Sequence, residues 1–406
     1  MISSSLALLI SIALTLALIV FHVIPGLAIL SGGLALALLV LPISTIPVLF
    51  MDTLIDSQTL QLLLIIASAL TMSRFLETKG LLTMLAGALE SIGPRVSITL
   101  TPAVIGLVPM PAGALVSAAA VKDLVPRLGL KPAEATFINY WFRHIWEFSM
   151  PMYPAIIATH IILNVPLGTI TAVFLPMTVL AGLVGLVSAK FILRSKQSPA
   201  TSKIKTRELL VSLVTSAWPI LLLVALVLAG VEAWIAFPAV LVVVMVQQKV
   251  HWSDLKSSLR YGLEPKILVL LIAVMLFKEV IETSGVASAL IADMDTLRLP
   301  LVLIIAFLPF LIGVAAGFGM AFVGITFPLL APLLTQGGSL DQLAMLLAYV
   351  SGIAGILVSP LHLCFLLSTE YFNARLLDVY RYVIPAVAVI EVIALGIYLL
   401  FGSGSI

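Results

Sequence analysis

Three ionisable side chains occur within five positions of the segment NYWFRHIWEFSMPMYP (residues 139–154), in a chain that is otherwise strongly apolar. On a helix, Arg143 and Glu147 at spacing i, i+4 face the same side, and His144 lies next to them. Arg143 is suited to hold a carboxylate or a phosphate, whereas His144 and Glu147 are candidates for carrying a coupling proton. Two alternatives stay open: Arg143 and Glu147 only neutralise each other inside the helix bundle, or Arg143 snorkels to the cytoplasmic interface.

Prolines that follow these residues predict a helix break at Ser149–Pro151, and a second break is predicted at Ser359–Pro360. An interrupted helix leaves N–H and C=O groups unpaired, and these groups can hold an ion without a formal protein charge. Two hairpin tips, near 109–113 and 315–319, allow the backbone to approach a ligand closely. For Thr326, Ser359 and His362, hydrogen bonding within the protein is the alternative role. The candidate substrate-binding residues are Pro109, Pro111, Gly113, Arg143, Ser149, Gly317, Gly319, Thr326, Ser359 and His362.

The composition places these residues in a membrane protein. Of the 406 residues, 62% are hydrophobic and only 10% are charged, against about 25% charged residues in a soluble domain. Apolar runs such as 5–21 and 217–237 are long enough to span a bilayer as helices. We therefore expect a polytopic protein whose surroundings are the lipid bilayer.

The chain contains an internal repeat. Three sequence blocks recur in the same order with nearly constant offset, and the third block aligns Tyr140 with Tyr349. Three matches in order are stronger evidence than any one of them. The paired blocks are 75–80 with 280–285, 105–120 with 312–327, and 138–154 with 347–363.

The repeat predicts an all-α fold made of two inverted units, each with five membrane-spanning helices, a re-entrant hairpin and one broken helix. The first unit covers 1–195, a cytoplasmic linker covers 196–206, and the second unit covers 207–406. Each hairpin arm has roughly 12–15 residues, which is short for a full crossing. The predicted spans are 5–24, 26–48, 59–78, 132–165 and 167–193, then 207–230, 233–249, 265–283, 341–372 and 379–402, with hairpins at 96–128 and 299–334.

The distribution of Lys and Arg sets the predicted orientation. An odd number of crossings per unit requires the two units to be inserted in opposite directions. The linker region 194–207 carries five Lys or Arg residues and is predicted to be cytoplasmic. Of 21 Lys plus Arg, only Arg298 then falls clearly outside. We expect a multi-pass protein of the cytoplasmic (inner) membrane of a prokaryote, with both termini outside.

Five scattered histidines and a single cysteine, Cys364, predict neither a nucleophile with its base nor a metal cluster. We expect no enzyme activity, no metal site and no cofactor apart from a coupling H⁺ or Na⁺, and we interpret Cys364 as a small buried helix residue. No P-loop occurs, so ATP-driven transport would need a partner subunit. No basic cluster with interleaved aromatic residues occurs, so we expect no nucleic-acid partner.

Four blocks carry a family resemblance: VPMPAGA (108–114), NYWFRHIWEF (139–148), GFGMAFVGITFPLL (317–330) and SPLHLCFLLSTEYF (359–372). They resemble a prokaryotic membrane-protein family, domain of unknown function 401, and the helix arrangement resembles the ion transporter superfamily. The resemblance implies transport elements at 96–165 and 299–372, with the remainder as scaffold. It also implies a homodimer that works by an elevator movement, in which amphipathic arms at 80–93 and 285–297 join the two parts.

The apolar hairpin tips depart from that superfamily, whose sodium-coupled dicarboxylate symporters carry Ser-Asn-Thr there. Neither sodium coupling nor dicarboxylate specificity therefore carries over. The leading hypothesis is a secondary active transporter of a small organic anion, coupled to a proton or sodium gradient. The alternatives are a cation/proton antiporter and a translocator of a lipid-linked phosphate.

Overall fold

A computed structural model describes residues 3–80, 89, 92–110, 113–194, 206–296, 300–336 and 339–402. Within these ranges the fold is almost entirely α-helical, with 3-10 turns at Ile43–Thr45 and Ile145–Phe148 and one small antiparallel ladder, β1 (Thr335–Gln336) with β2 (Ser339–Leu340). The helices are α1 (Ser4–Val20), α2 (Pro25–Val40), α3 (Ile46–Ile55), α4 (Ser57–Thr78), α5 (Pro94–Gly106), α6 (Gly113–Val121), α7 (Leu124–Arg127), α8 (Pro132–His144), α9 (Pro154–Leu163), α10 (Leu167–Leu193), α11 (Thr206–Leu228), α12 (Ala233–Gln247), α13 (Trp252–Gly262), α14 (Pro265–Ser284), α15 (Val286–Thr296), α16 (Leu301–Ala316), α17 (Gly319–Leu334), α18 (Gln342–Val358), α19 (Leu363–Tyr371) and α20 (Leu376–Phe401).

Local sequence signals set many of the helix ends. Asp56 caps α4 by accepting hydrogen bonds from two backbone N–H groups of its first turn, and Asp341 does the same for α18. Helices α2, α5, α8, α9 and α14 begin with proline, whose missing N–H has no helical partner at that position in any case. Asn164 ends α9 in a left-handed conformation with φ of 53°.

The protein is a membrane protein by the length and composition of its helices. Within the described ranges, four helical stretches are long and apolar enough to cross a bilayer: Ser57–Thr78, Leu167–Leu193, Leu376–Phe401 and Gln342–Tyr371, which comprises α18, α19 and the break between them. Shorter apolar helices, among them α1, α2, α12, α16 and α17, accompany them. Large apolar side chains on the outer faces of α10 and α20, such as Leu183 and Val392, are exposed in the monomer and fit a lipid environment.

Both predicted helix breaks are present. In the first half of the chain, α8 tightens into the 3-10 turn Ile145–Phe148, and α9 begins only at Pro154. In the second half, α18 ends at Val358 and α19 begins at Leu363. Prolines 151 and 360 lie within the two interruptions, as expected for residues that cannot donate a helical hydrogen bond.

Hairpin arms pack against broken helices both within and between the two halves of the chain. Helix α5 packs on α8, and α16 packs on α18. Across the halves, α9 packs on α17 and α6 packs on α19. Close approach is needed at α16 and α18, where a Cβ on Gly355 would lie 2.1 Å from the carbonyl oxygen of Phe310. The four hairpin arms and the two broken helices therefore form one interlocked group.

One predicted span differs from the structure, and one helix lies where no element was predicted. The span 26–48 is α2, which ends at Val40, followed by the separate helix α3. After α12, the amphipathic helix α13 was not predicted. Its sequence WSDLKSSLRYG is too polar and too short to register as a span.

The hairpin arms are short. At 1.5 Å per residue, α5 is about 20 Å long and α16 about 24 Å, against about 30 Å of hydrocarbon. Of the predicted amphipathic arms, 285–297 contains α15, while most of 80–93 lies outside the described residues. Most of the predicted linker 196–206 also lies outside them.

Candidate functional site

Two tyrosines join the breaks of the two halves reciprocally. The Tyr140 hydroxyl of α8 donates to the carbonyl oxygen of Leu357 at 3.1 Å, one residue before α18 ends. The Tyr349 hydroxyl of α18 donates to the carbonyl oxygen of Glu147 at 2.9 Å, within the 3-10 turn that ends the first segment. Each tyrosine thus pairs a carbonyl group that the interrupted helix of the other half leaves exposed.

Two histidines meet beside these bonds. His144 Nε2 lies 3.1 Å from His362 Nε2, and both side chains are buried. The Nδ1 atom of His144 lies 2.5 Å from the carbonyl oxygen of Tyr140, and that of His362 lies 2.8 Å from the carbonyl oxygen of Gly317. Glu147 is the nearest carboxylate, with Oε1 at 3.7 Å from His144 Nε2. The structure therefore brings together three of the residues singled out in the sequence.

Arg143 is buried in the last turn of α8 and points at the tip of the first hairpin. One of its Nη atoms donates to the carbonyl oxygen of Met110 at 3.1 Å, while its Nε has no hydrogen-bond partner among the described residues. It forms no ion pair with Glu147, contrary to the helical i, i+4 expectation. The reason is local: α8 ends at His144, and the tighter 3-10 turn rotates Glu147 towards the histidines.

The first hairpin tip closes over the guanidinium. Pro109 is buried in the connection between α5 and α6, and Pro111 lies outside the described residues. Gly113 begins α6, and a Cβ on it would lie 2.1 Å from Arg143 Nη2. Only glycine permits this contact, so the tip and the charge share one site.

The second hairpin tip meets the second break. Gly317 ends α16 with φ of +61°, a left-handed conformation that favours glycine, and a Cβ there would lie 2.9 Å from the carbonyl carbon of Leu361. Gly319 begins α17, and a Cβ there would lie 3.0 Å from the Cβ of Ala155 in α9. The tip of the second half therefore touches both broken helices.

The serine hydroxyl groups of the two breaks are hydrogen-bonded within the protein. The Ser149 hydroxyl lies 2.6 Å from that of Thr178 in α10. The Ser359 hydroxyl donates to the carbonyl oxygen of Val314 at 2.6 Å and accepts from the N–H of Leu361 at 3.1 Å. Both serines therefore hold the breaks against neighbouring elements.

Thr326 lies in α17, away from the tip. Its buried hydroxyl donates to the carbonyl oxygen of Phe322 one turn earlier in the same helix. This hydrogen bond within the helix is the alternative role that was predicted for Thr326.

Sequence reasoning left four residues out of the site. Tyr140 and Tyr349 had a signal, because the repeat aligned them. Cys364 lies two residues after His362, and the packing of α19 on α8 brings it close to His144, which no local pattern predicted. Asn139 donates to the carbonyl oxygen of Ala114, and its buried Oδ1 has no partner among the described residues.

Comparisons with known proteins add a family. Among curated proteins, no sequence matches this chain. The crystal structure of the YdaH transporter from Alcanivorax borkumensis is similar, with 18% sequence identity over 89% of each chain and a TM-score of 0.44. Residues 2–401 match the family described as Protein of unknown function (DUF401), as the sequence blocks predicted, and the chain belongs to that family.

Proposed function

We propose that the protein is a secondary active transporter that moves a small organic anion across the cytoplasmic membrane of a prokaryote. The observation that carries the proposal is the meeting of both broken helices beside a buried arginine, Arg143, which has no carboxylate partner among the described residues. In secondary transporters, interrupted helices near the midplane expose main-chain groups to substrate and coupling ion. Two interrupted helices, α8–α9 and α18–α19, lie within the group formed by 96–165 and 299–372, which supports the proposal.

Arg143 favours an anion as the substrate. A buried guanidinium carries a permanent charge, and leaving it without a counter-charge in a low-dielectric region is expensive. Its described acceptor is the neutral carbonyl group of Met110, and no carboxylate in the described part of the chain forms an ion pair with it. A carboxylate on the substrate would supply both the missing charge and an acceptor for Nε.

Contacts between distant segments support an odd number of crossings per unit. Lys79 Nζ lies 2.7 Å from Asp254 Oδ2, and the Ser5 hydroxyl donates to Asp293. With an even number of crossings in the first unit, each pair would lie on opposite sides of the membrane.

A cavity of about 360 Å³ is lined by segments that the charge-based topology puts outside. Its polar lining residues are Gln58, Gln61, His160, Asn164 and Glu232.

The interlocked group is the moving part in this proposal, and the remaining helices are the scaffold. The reciprocal tyrosine bonds hold both breaks in one body, which suits an elevator movement better than a rocking of one half against the other. We propose a homodimer that meets through the scaffold. Coupling to a proton or sodium gradient completes the cycle, and Glu147 is the carboxylate placed to serve it.

A carboxylate library tests the proposal. For the intact protein, a substrate at a hundred times its Kd should stabilise the fold by about 2.7 kcal/mol, and the same compound should be taken up by proteoliposomes. Arg143→Gln should lose both responses while keeping the stability of the ligand-free protein, because it removes an unpaired buried charge. Arg74→Gln is the control, since Arg74 belongs to neither break and already has a carboxylate partner, with 2.8 Å between its Nη1 and Glu77 Oε2. Unchanged stabilisation of Arg143→Gln by the same compound would refute the assignment.

A second candidate is a cation/proton antiporter. The facing ring nitrogens of His144 and His362, with Glu147 beside them, favour it. A response to metal ions with silence from all carboxylates would support this function. A phosphate-bearing lipid that stays bound through purification, again without a carboxylate response, would instead support a lipid-linked phosphate translocator.

A further inference from the structure

The approach of His144 and His362 sets a chemical problem. A carbonyl oxygen can only accept, so each Nδ1 atom that faces a carbonyl carries its hydrogen. In a neutral imidazole the other nitrogen, Nε2, is then a bare acceptor. Two acceptor lone pairs therefore face each other across 3.1 Å in a buried place. A positively charged species between the rings resolves this conflict.

A thiol supplies a third donor at the same point. Ligand atoms of His144, His362 and Cys364 all lie within 4.8 Å of one another. A tetrahedral zinc ion with Zn–N bonds of 2.0–2.1 Å separates two nitrogen ligands by about 3.3 Å. The observed distance of 3.1 Å between the two Nε2 atoms is close to that value.

We propose that His144, His362 and Cys364 form a binding site for a late first-row transition-metal cation of the Zn²⁺ class, held between the two helix breaks. Imidazole and thiolate are the ligands that such cations prefer over oxygen donors. The hydrogen bonds from Nδ1 to main-chain carbonyl groups fix both rings with Nε2 facing the metal position, which is the usual outer support of a histidine ligand. Glu147, 3.7 Å from His144 Nε2, is the nearest group for a fourth ligand.

A shared proton is the competing occupant. A proton between the rings would satisfy both nitrogens, and it would leave the thiol of Cys364 with only its hydrogen bond to His144. The convergence of a soft sulfur donor with two bare nitrogens favours a metal ion. The inference concerns binding and is independent of whether the protein transports an anion.

Cobalt provides the test, because Co²⁺ occupies zinc sites and absorbs strongly when bound to a thiolate. Cys364 is the only cysteine of the chain, so a thiolate-to-cobalt absorption band can arise from no other residue. The full-length protein is to be loaded by two routes, by growth of the expressing cells with Co²⁺ and by incubation of the purified protein under reducing conditions. We expect one Co²⁺ per chain, a charge-transfer band and displacement of the cobalt by Zn²⁺.

Variants assign the ligands. Cys364→Ser should abolish the charge-transfer band, and His362→Gln should weaken Co²⁺ binding roughly a hundredfold or more, since loss of a supporting residue alone costs 10–100-fold. His160→Gln is the matched control, because His160 is also buried and its Nδ1 also faces a carbonyl oxygen, that of Val165, at 2.6 Å. His160→Gln should bind Co²⁺ with the affinity of the unchanged protein.

Two results would overturn the proposal. One is absence of bound metal after both loading routes in protein that is folded by its elution volume and melting temperature. The other is that Cys364→Ser and His362→Gln both bind the metal as tightly as the unchanged protein does. If a variant does not fold, the spectrum of the unchanged protein still decides, because it contains a single thiol.

Discussion

Removing one hydroxyl from each of three buried tyrosines tests whether the breaks are held by the reciprocal bonds. Tyr140→Phe leaves the carbonyl group of Leu357 without its donor in a buried place. Such an orphaned group lowers the free energy of unfolding by about 1–3 kcal/mol. The bond from Tyr349 is only half-buried, so Tyr349→Phe should lose about 0.5–1.5 kcal/mol.

Tyr398 of α20 is the control. It is buried to the same degree, but its hydroxyl has no partner among the described residues. Replacing it by phenylalanine removes an unsatisfied polar group and should leave stability unchanged or raise it.

The assay is unfolding in mixed micelles, with helicity followed against the mole fraction of a denaturing detergent. The midpoint and slope give the free energy of unfolding for each variant. The reasoning fails if Tyr140→Phe is as stable as the unchanged protein, or if Tyr398→Phe loses as much stability as the other two.

Two further predictions concern the tip of the first hairpin and the ion pair between Lys79 and Asp254. Gly113→Ala should abolish anion-dependent stabilisation as Arg143→Gln does, because the added Cβ would lie 2.1 Å from Arg143 Nη2 and must displace the guanidinium. Gly182→Ala is the control: its added Cβ meets nothing within 4 Å, so anion-dependent stabilisation should persist. The hydrogen bond from Lys79 lowers the pKa of Asp254 below 3.8, so the pair contributes stability above that pH and loses it as the pH falls through the lowered pKa. Melting temperatures of Asp254→Asn should accordingly fall less on acidification than those of the unchanged protein.

The sequence was sufficient to place the breaks and the tips. Proline and glycine act on the backbone locally, so Pro151, Pro360 and Gly317 predict interruptions wherever the rest of the chain lies. Apolar length and the internal repeat likewise predicted the long helices. The short helices α3 and α13 were not predicted as separate elements, because neither is long enough to span the hydrocarbon core.

The partners of the site residues could not be predicted in the same way. Glu147 was paired with Arg143 on the assumption of a continuous α-helix, but the 3-10 turn advances about 120° per residue instead of about 100°, which rotates the Glu147 side chain by roughly 60° over residues 145–147. The contact between His144 and His362 joins residues 218 positions apart, and no local pattern encodes such a distance. Only the alignment of Tyr140 with Tyr349 hinted that the two breaks meet.

The bond from Tyr349 to Glu147 also sets an order of events during biosynthesis. The acceptor is made 202 residues before its donor, and a ribosome adds about 5–20 residues per second, so roughly 10–40 s separate the two. Throughout that interval the emerging N-terminal portion carries a severed helix end whose partner does not yet exist. A prematurely terminated chain that stops before Tyr349 can never complete this closure, so the carbonyl group of Glu147 stays without its donor.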